Sequence, residues 1–547
     1  MSDGATILGL DGLPLPPSRQ SRMSMLAGGW DGTPYDAADI YSDKMAAWRP
    51  SLWSPDSELN IYRDRIVSRV RDLVRNDGWA SGAVTRLVDN VVGANFRPIS
   101  KPNFRLLALR TGNSAFDHVW ADEYGRAIDA YFAEWADDPG FYCDVHRKQT
   151  FGQMMRLGFR HNVIDGDALA ISHWLPERQG PGRARYATAV QLIDPDRLSN
   201  PQQQFDNKWM RGGVAIDEFG APTGYWIRRA HLGDWFNAEK AWQWDKIERE
   251  TSWGRAVTIH YYDHDRANQH RGGAGVFTPV VQRLRMLIKY DSSELDAAIL
   301  NAVFGAYIES PFDPQMVEMA LSDGEHLPRY QEERSEFHKE RKTALGEMRM
   351  PILFPGERIN AVTAARPSGN FEAFEGAVLR NFASATGMSE QQVSQNWSNV
   401  NYSSARGALL EAWKTFDRRR FDYGVGFGQP IYTNVVEEIY DTAELPMPKG
   451  NRPDFIEYRG ALSRARWVGP GRGWIDPVKE PQGSVLKMDA ALSNLDEETD
   501  SIEGGDWREK VEQRALEVRR FKELGLPLPN WAAGAPANEA MKEEQPQ

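Results

Sequence analysis

The stretch NVNYSSARGALLEAWKTFDRRRFDYG, residues 399–424, runs from small polar residues straight into an amphipathic helix. Ahead of the helix, Ser394 to Ser404 holds almost nothing that would anchor a core. The helix carries a stripe of Leu409, Trp413 and Phe416, with Leu410 beside it, at helical spacing. Arg406, Lys414, Arg418, Arg419 and Arg420 are expected largely off that stripe, with Glu411, Asp417 and Asp422 as acidic neighbours for some of them. A loop this polar, mounted on a rod, is not there to fill a core.

On the C-terminal side GVGFG, 424–428, has no strand before it, so it reads as a helix break rather than a dinucleotide loop. PIYTNVVEEIYD, 430–441, then continues the helix. On the N-terminal side Phe371, Phe374, Val378 and Phe382 mark a helix near 371–387. An earlier helix opens at Thr278-Pro279, a cap and a first helical position. Its apolar side (Val280, Leu284, Leu287, Leu295, Ile299, Ala302) predicts a rod of about 45 Å, ending near Ile308. Between these helices 311–365 is a polar, charged insertion, in which MRMPILFPGERINAV resembles a pair of short strands.

Residues 1–55 read as a flexible arm, with an extended LPLPP at 13–17. From Pro55, Leu59, Tyr62, Ile66, Val70 and Leu73 recur at helical spacing, while Arg63, Arg65, Arg69, Arg71 and Arg75 crowd the other faces. Such a face is expected to be solvated or paired with acidic neighbours. Residues 94–277 read as mixed, with a helix around 117–135 and strand-like runs at 168–174, 189–193, 224–229 and 256–262. The body is α+β. Near the C-terminus 488–507 is acidic, and Asp506 with Glu509 predicts a capping box opening a helix striped by Trp507, Val511, Ala515, Val518 and Phe521. The tail 526–547 has a disordered composition.

Net charge is −12, so long-range steering onto nucleic acid is not expected and any such contact must be local. One cysteine, Cys143, forbids an intrachain disulfide and a cysteine zinc site. No leader-like segment or long apolar run is visible, which predicts a soluble chain from a reducing compartment. Nineteen tryptophans favour large packed interfaces and hence an oligomer.

Catalytic motifs are scarce: there is no phosphate loop, no H-E-x-x-H and no G-x-S-x-G. The best metal candidate is HYYDHDRANQH, with His260, Asp263, His264, Asp265 and His270; the plainer reading is a polar turn. Asp165 and Asp167 flank Gly166, more simply a turn than a Mg²⁺ site. The alternative kept open is a metal-dependent hydrolase or nuclease using Asp165, Asp167, His260, Asp263 and His264.

Four segments, in order, resemble the lambda family of tailed-phage portal proteins. RVRDLVRNDGWASGAVTRLVDNVVGANFRP is similar to its R-x-L-x-R-N and N-x-V-G signature. DRANQHRGGAGVFTPVVQRLRMLIKYDSSELDAA is similar to its turn into a first long helix, although His270 stands where a hydroxyl residue is expected before the Arg. NYSSARGALLEAWKTFDRRR is similar to its S-S-A-R helix, and RGWIDPVKE with ALSNLDEETDSIEGGDWREKVEQRALE to its C-terminal region.

The resemblance implies a portal fold assembled as a ring, usually of twelve copies, at one capsid vertex. It implies an arm (1–55), a wing (56–277), a first stem helix (278–310) and a small α/β clip (311–365). A second stem helix (366–390), a tunnel loop (391–405), a long channel helix (406–440), a returning wing segment (441–487), a helical crown (488–525) and the tail (526–547) follow. Double-stranded DNA would pass the channel, driven in by the terminase and later ejected. Head-completion and tail proteins, and the major capsid protein or scaffold, would dock on the ring. Asn396, Ser398, Asn399, Asn401, Ser403, Ser404, Arg406, Lys414 and Arg418 would face the DNA channel. In the clip Arg329, Glu332, Glu333, Arg334, Lys339 and Arg341 would face the motor or an adaptor. No catalytic residue, metal, cofactor or membrane is implied. The setting is the virion, after assembly in the bacterial cytoplasm.

Overall fold

The computed structural model describes residues 37, 44–45, 47–273, 275–303, 307–309, 332–333, 335–337, 342–345, 348–351, 358–360, 371–398, 400–450, 452–474, 476–529 and 531. The chain divides into Met1–Ser54 and Pro55–Gln547. Most of the expected arm and tail lies outside the described residues. In the first unit the Trp48 N–H donates to the Met45 carbonyl at 2.9 Å, closing a turn.

The second unit opens with helices α1 (Pro55–Asn76) and α2 (Gly78–Val91). Asp77 between them caps α2, its carboxylate accepting the Ala80 N–H at 2.8 Å. The buried line of α1 is Asp56, Arg63, Val67, Val70, Leu73 and Val74. Arg63 is therefore inside, while Tyr62, expected on the stripe, is exposed. Strand β1 (Arg97–Ser100) and helices α3 (Phe104–Thr111), α4 (His118–Ala136) and α5 (Phe151–Asp165) follow. On α4, Trp120, Tyr124, Ile128, Phe132 and Trp135 turn into the core. Thr150 and Gln153 close a capping box on α5.

All four strand-like runs are strands. β2 (Asp167–Trp174) lies between β3 (Thr188–Ile193) and β8 (Thr258–Tyr262), antiparallel to both, with Ile171 opposite Gln191 and Thr258. A second antiparallel sheet runs β4 (Met210–Arg211), β5 (Val214–Ile216), β6 (Pro222–Arg228), β7 (Trp244–Glu248). Leu169, Ile171, Ile193, Leu198, Val214, Tyr225 and Ile227 fill the space between the sheets.

Helix α6 (Val281–Val303) buries Val280, Leu284 and Leu287 at its base and leaves Leu295 and Ile299 exposed. It is about 35 Å long, not 45. It stops before Ile308 because β9 (Tyr307–Glu309), rich in strand-forming side chains, pairs antiparallel with β12 (Arg358–Asn360). β10 (Lys342–Leu345) and β11 (Met348–Pro351) form a hairpin. The two strands expected within 348–362 thus exist, but each pairs with an earlier strand.

Helix α7 (Phe371–Thr386) packs beside α6, and Phe382 meets Phe277 at 5.4 Å between ring centres. The short α8 (Glu390–Ser394) precedes α9 (Tyr402–Tyr423). The break expected at GVGFG does not occur. Gly424–Gly428 form a π-turn, and α10 (Gln429–Thr442) carries straight on. A Cβ on Gly424 or Gly428 would lie 2.6 or 2.5 Å from the Trp467 ring, and one on Gly426 would lie 2.5 Å from Tyr261. These glycines permit close approach to two aromatic rings rather than ending the helix.

Beyond α10, α11 (Phe455–Leu462) leads to β13 (Ala465–Val468), which pairs with β1 and closes the body. Helices α12 (Lys479–Asp489), α13 (Leu495–Glu503) and α14 (Trp507–Glu523) complete it. Asp506 caps α14 by accepting the Arg508 N–H at 3.0 Å. Glu509 pairs with Arg97 at 2.7 Å instead of closing a capping box. The expected stripe is not buried: Val511 and Ala515 are exposed, Trp507, Val518 and Phe521 are half-buried, and the one buried residue of α14 is Arg508. No helix among the described residues is long and apolar enough to cross a membrane.

Candidate nucleic-acid interface

The polar stretch is pinned at both ends. Ser389 and Gln392 close a capping box on α8, Val393 is buried, and Gln395 ends the helix in a left-handed conformation at φ 55°. Asn401 caps α9: its Oδ1 accepts the Ser404 N–H at 2.9 Å and the Ser404 hydroxyl at 2.7 Å. Asn396 Oδ1 accepts the Ser398 N–H at 3.1 Å and also its hydroxyl. Part of the loop's polarity is thus spent on its own shape. Asn396, Ser398, Asn401, Ser403 and Ser404 are all exposed; Asn399 lies outside the described residues. The exposed Trp397 was missed, because a lone aromatic in a polar run gives no periodic signal.

Along one side of α9 burial deepens towards its C-terminus. Leu410 is exposed, Leu409 and Trp413 half-buried, Phe416 buried, and Tyr423 and Phe427 stack on each other in the core. The rod is held at its far end and presents its near end. Arg406, Lys414 and Arg418 are exposed. Arg406 Nε lies 3.8 Å from the Glu480 carboxylate, and Arg418 pairs with Asp422 at 3.1 Å. The Glu480 side chain is 8% exposed, whereas the Arg418–Asp422 pair lies on the surface, where such a pair constrains little.

Arg419 and Arg420, expected largely outside, are buried. Arg420 donates from Nε to the Val91 carbonyl at 3.0 Å and from Nη2 to those of Asn90 and Pro470, both at 2.9 Å, while Nη1 pairs with Asp417. It satisfies carbonyls at the C-terminus of α2 and is structural. Of the clip residues, Glu332 and Glu333 are exposed; Arg329, Arg334, Lys339 and Arg341 lie outside the described residues.

The residues of the hydrolase alternative do not form one site. Asp167 Oδ1 accepts from His260 Nε2 at 3.0 Å and the Gly272 N–H at 2.7 Å, and Oδ2 from Arg63 Nη2 and Arg271 Nε, each at 2.8 Å. Four donors fill both oxygens and leave none for a cation. Burial opposes ionisation of Asp167, but Arg271 and Arg63 outweigh it and hold the carboxyl well below its usual range. Burial likewise lowers the His260 pKa. Asp165 belongs to a separate network, with Arg71 Nε at 2.7 Å and His161 Nδ1 at 2.8 Å. His161, Asp165 and Asp194 lie close enough to hold an ion, yet the Arg71 guanidinium already bonds both carboxylates. Asp263 accepts the Tyr261 hydroxyl, and His264 stacks on Tyr262. Of the α1 arginines, Arg63 and Arg71 are therefore paired, and Arg65, Arg69 and Arg75 are exposed.

Residues 41–420 match the family model described as phage portal protein, lambda family. Over 501 residues the chain is 30% identical to portal protein B of Escherichia phage lambda, covering 90% of this chain and 91% of that protein. It is equally similar, at 30% over 501 residues, to the portal protein of Escherichia phage N15. A solved structure, the neck of an empty gene transfer agent particle, aligns with 79% of this chain and 96% of its own at 13% identity and a TM-score of 0.35. With its loop-bearing rod, and with relatives matched over nine-tenths of its length, this chain belongs to the lambda family of phage portal proteins.

Proposed function

We propose that this portal chain forms a ring of twelve copies at one capsid vertex, a non-enzymatic conduit for double-stranded DNA in packaging and ejection. The observation that carries the proposal is the asymmetry of the 402–442 rod: the polar loop ahead of it is capped and exposed, and its far half is locked in the core. A loop held this way lies along a duplex without yielding to it. Neutral amides and hydroxyls, with Arg406, Lys414 and Arg418, give weak local contacts within an acidic chain. That balance suits transit, because every phosphate neutralised adds affinity and therefore drag.

In this proposal 56–277 with 441–487 is the wing, α6 and α7 line the stem, and 311–365 is the clip. The loop 391–405 reaches into the channel and α13–α14 belong to the crown. The exposed Glu332 and Glu333 meet the terminase or an adaptor, and the wing meets capsid, head-completion or tail proteins. The setting is the virion, after assembly in the host cytoplasm. Electron microscopy of the purified protein is the test: rings with an open axial channel are expected, and compact particles without a channel, even with scaffold and capsid protein present, would refute the conduit. Arg406→Glu with Arg418→Glu should leave the rings intact and alter packaging rate or DNA retention; unchanged packaging and retention would remove these residues from the channel.

A further inference from the structure

His270 stands where the family resemblance leads one to expect a hydroxyl residue, and both of its ring nitrogens face acceptors. Nδ1 lies 2.7 Å from Asp56 Oδ2, and Nε2 lies 2.9 Å from the Gly220 carbonyl oxygen. The Asp56 carboxylate also accepts the His270 backbone N–H, at 2.9 Å through Oδ1. The Asp56 and His270 side chains are 5% and 9% exposed, so water does not compete for these bonds. A carbonyl cannot donate, so Nε2 must carry a proton. A second proton must then lie between Nδ1 and Oδ2, because otherwise two lone pairs would meet at 2.7 Å. The arrangement is complete only with one more proton than a neutral imidazole beside a carboxylate.

Three segments meet at this ring: the first turn of α1 through Asp56, the hairpin between β5 and β6 through Gly220, and the 269–272 turn that leads towards α6. The turn is held nearby by Gly272 and Arg271 on Asp167, and by the Tyr262 hydroxyl donating to the Gln269 carbonyl. We propose that Asp56, His270 and the Gly220 carbonyl form a proton-operated latch, which clamps the turn ahead of α6 when the imidazole is doubly protonated and releases it when the ring loses a proton.

The charges around the ring agree with the direction. Hydrogen bonding to Asp56 leads in raising the His270 pKa, against the opposing effects of burial and of Arg211. Arg266 pairs with Glu58 at 2.7 Å in the same first turn of α1. A histidine with a raised value stabilises the fold fully below its ordinary 6.5, and that contribution is lost as pH rises through the higher folded value. His260, with a lowered value, acts oppositely in the same region. Global stability therefore mixes the two, and the test must be local.

Hydrogen exchange by mass spectrometry on the full chain, from pH 5.5 to 9.5 and corrected for intrinsic rates, reads the latch directly. Peptides covering 217–221 and 266–272 should lose about tenfold in protection as pH rises, while β2 and β3 stay protected. His270→Gln, which keeps a donor but cannot titrate, should abolish that pH step, and Asp56→Asn should give low protection at every pH. Should Asp56→Asn not fold, the wild-type profile and His270→Gln decide alone. A flat wild-type profile, or an unchanged step in His270→Gln, would overturn the latch.

Discussion

Arg63 Nη2 and Asp167 Oδ2 meet at 2.8 Å across 104 residues of chain, with 3% and 0% of their side chains exposed. Arg271 shares the same carboxylate, so Asp167 is the counter-charge of two buried guanidiniums. Asp167→Asn keeps the shape and removes the charge. The expected cost is about 3–5 kcal/mol at pH 7, since breaking a buried pair leaves an uncompensated ion. Chemical denaturation measures it; a loss below about 1 kcal/mol would show that water screens the knot. Asp167 is held below its ordinary 3.8, so its contribution is present above that pH and is lost as pH falls below it.

Glu438 on α10 is 2% exposed and accepts the backbone N–H groups of Ala187 and Thr188 at 2.6 and 2.9 Å. Glu438→Gln would turn an NH₂ towards one of these donors. A loss of about 1–3 kcal/mol is expected for a buried N–H left unpaired. Exchange at 187–188 should quicken beyond the global change, and a neutral outcome would mean the amide rotates to satisfy both.

The glycines of the π-turn should resist enlargement. Gly428→Ala forces a Cβ against the Trp467 ring and should cost about 1–3 kcal/mol. Adding Trp467→Phe makes room, so the double variant should lose clearly less than the two single losses added together. Additive losses in thermal unfolding would contradict direct contact as the reason for glycine.

Neighbouring arginines on α9 should separate stability from function. Arg420→Ala strands three carbonyls and should cost about 2–3 kcal/mol. Arg418→Ala, which loses one exposed pair, should cost under about 0.5 kcal/mol. In packaging assays with folded rings, the second should matter more. Equal stability losses would undo the distinction drawn between them.

The periodic parts of the fold were legible in the sequence. Trp120, Tyr124 and Ile128 recur at helical spacing and are buried as expected, and the four strand-like runs are strands. Pattern failed where a contact from far along the chain decides the outcome. Arg63 looks like a surface arginine until Asp167 is known to lie beneath it. Nothing within GVGFG announces Trp467 and Tyr261, so glycines that permit contact look like glycines that break a helix. On α14 Val511 keeps its helical spacing but is left exposed among the described residues. In the candidate interface the exposed Arg406, Lys414 and Arg418 were legible as types, but the burial of Arg419 and Arg420 depends on segments that no local window contains.

The π-turn also sets an angular phase. An α-helix advances about 100° per residue, and Gly424–Gly428 hold a wider turn within an otherwise regular rod. Winding the same five residues at α-helical pitch would turn the chain further than the wider turn does, and would rotate everything N-terminal to it by several tens of degrees relative to the anchored half. Arg406, Arg418 and the Asn401 cap would swing round together while every local bond within α9 survived. The bearing of the loop is therefore encoded some twenty residues away, by three glycines that never approach it.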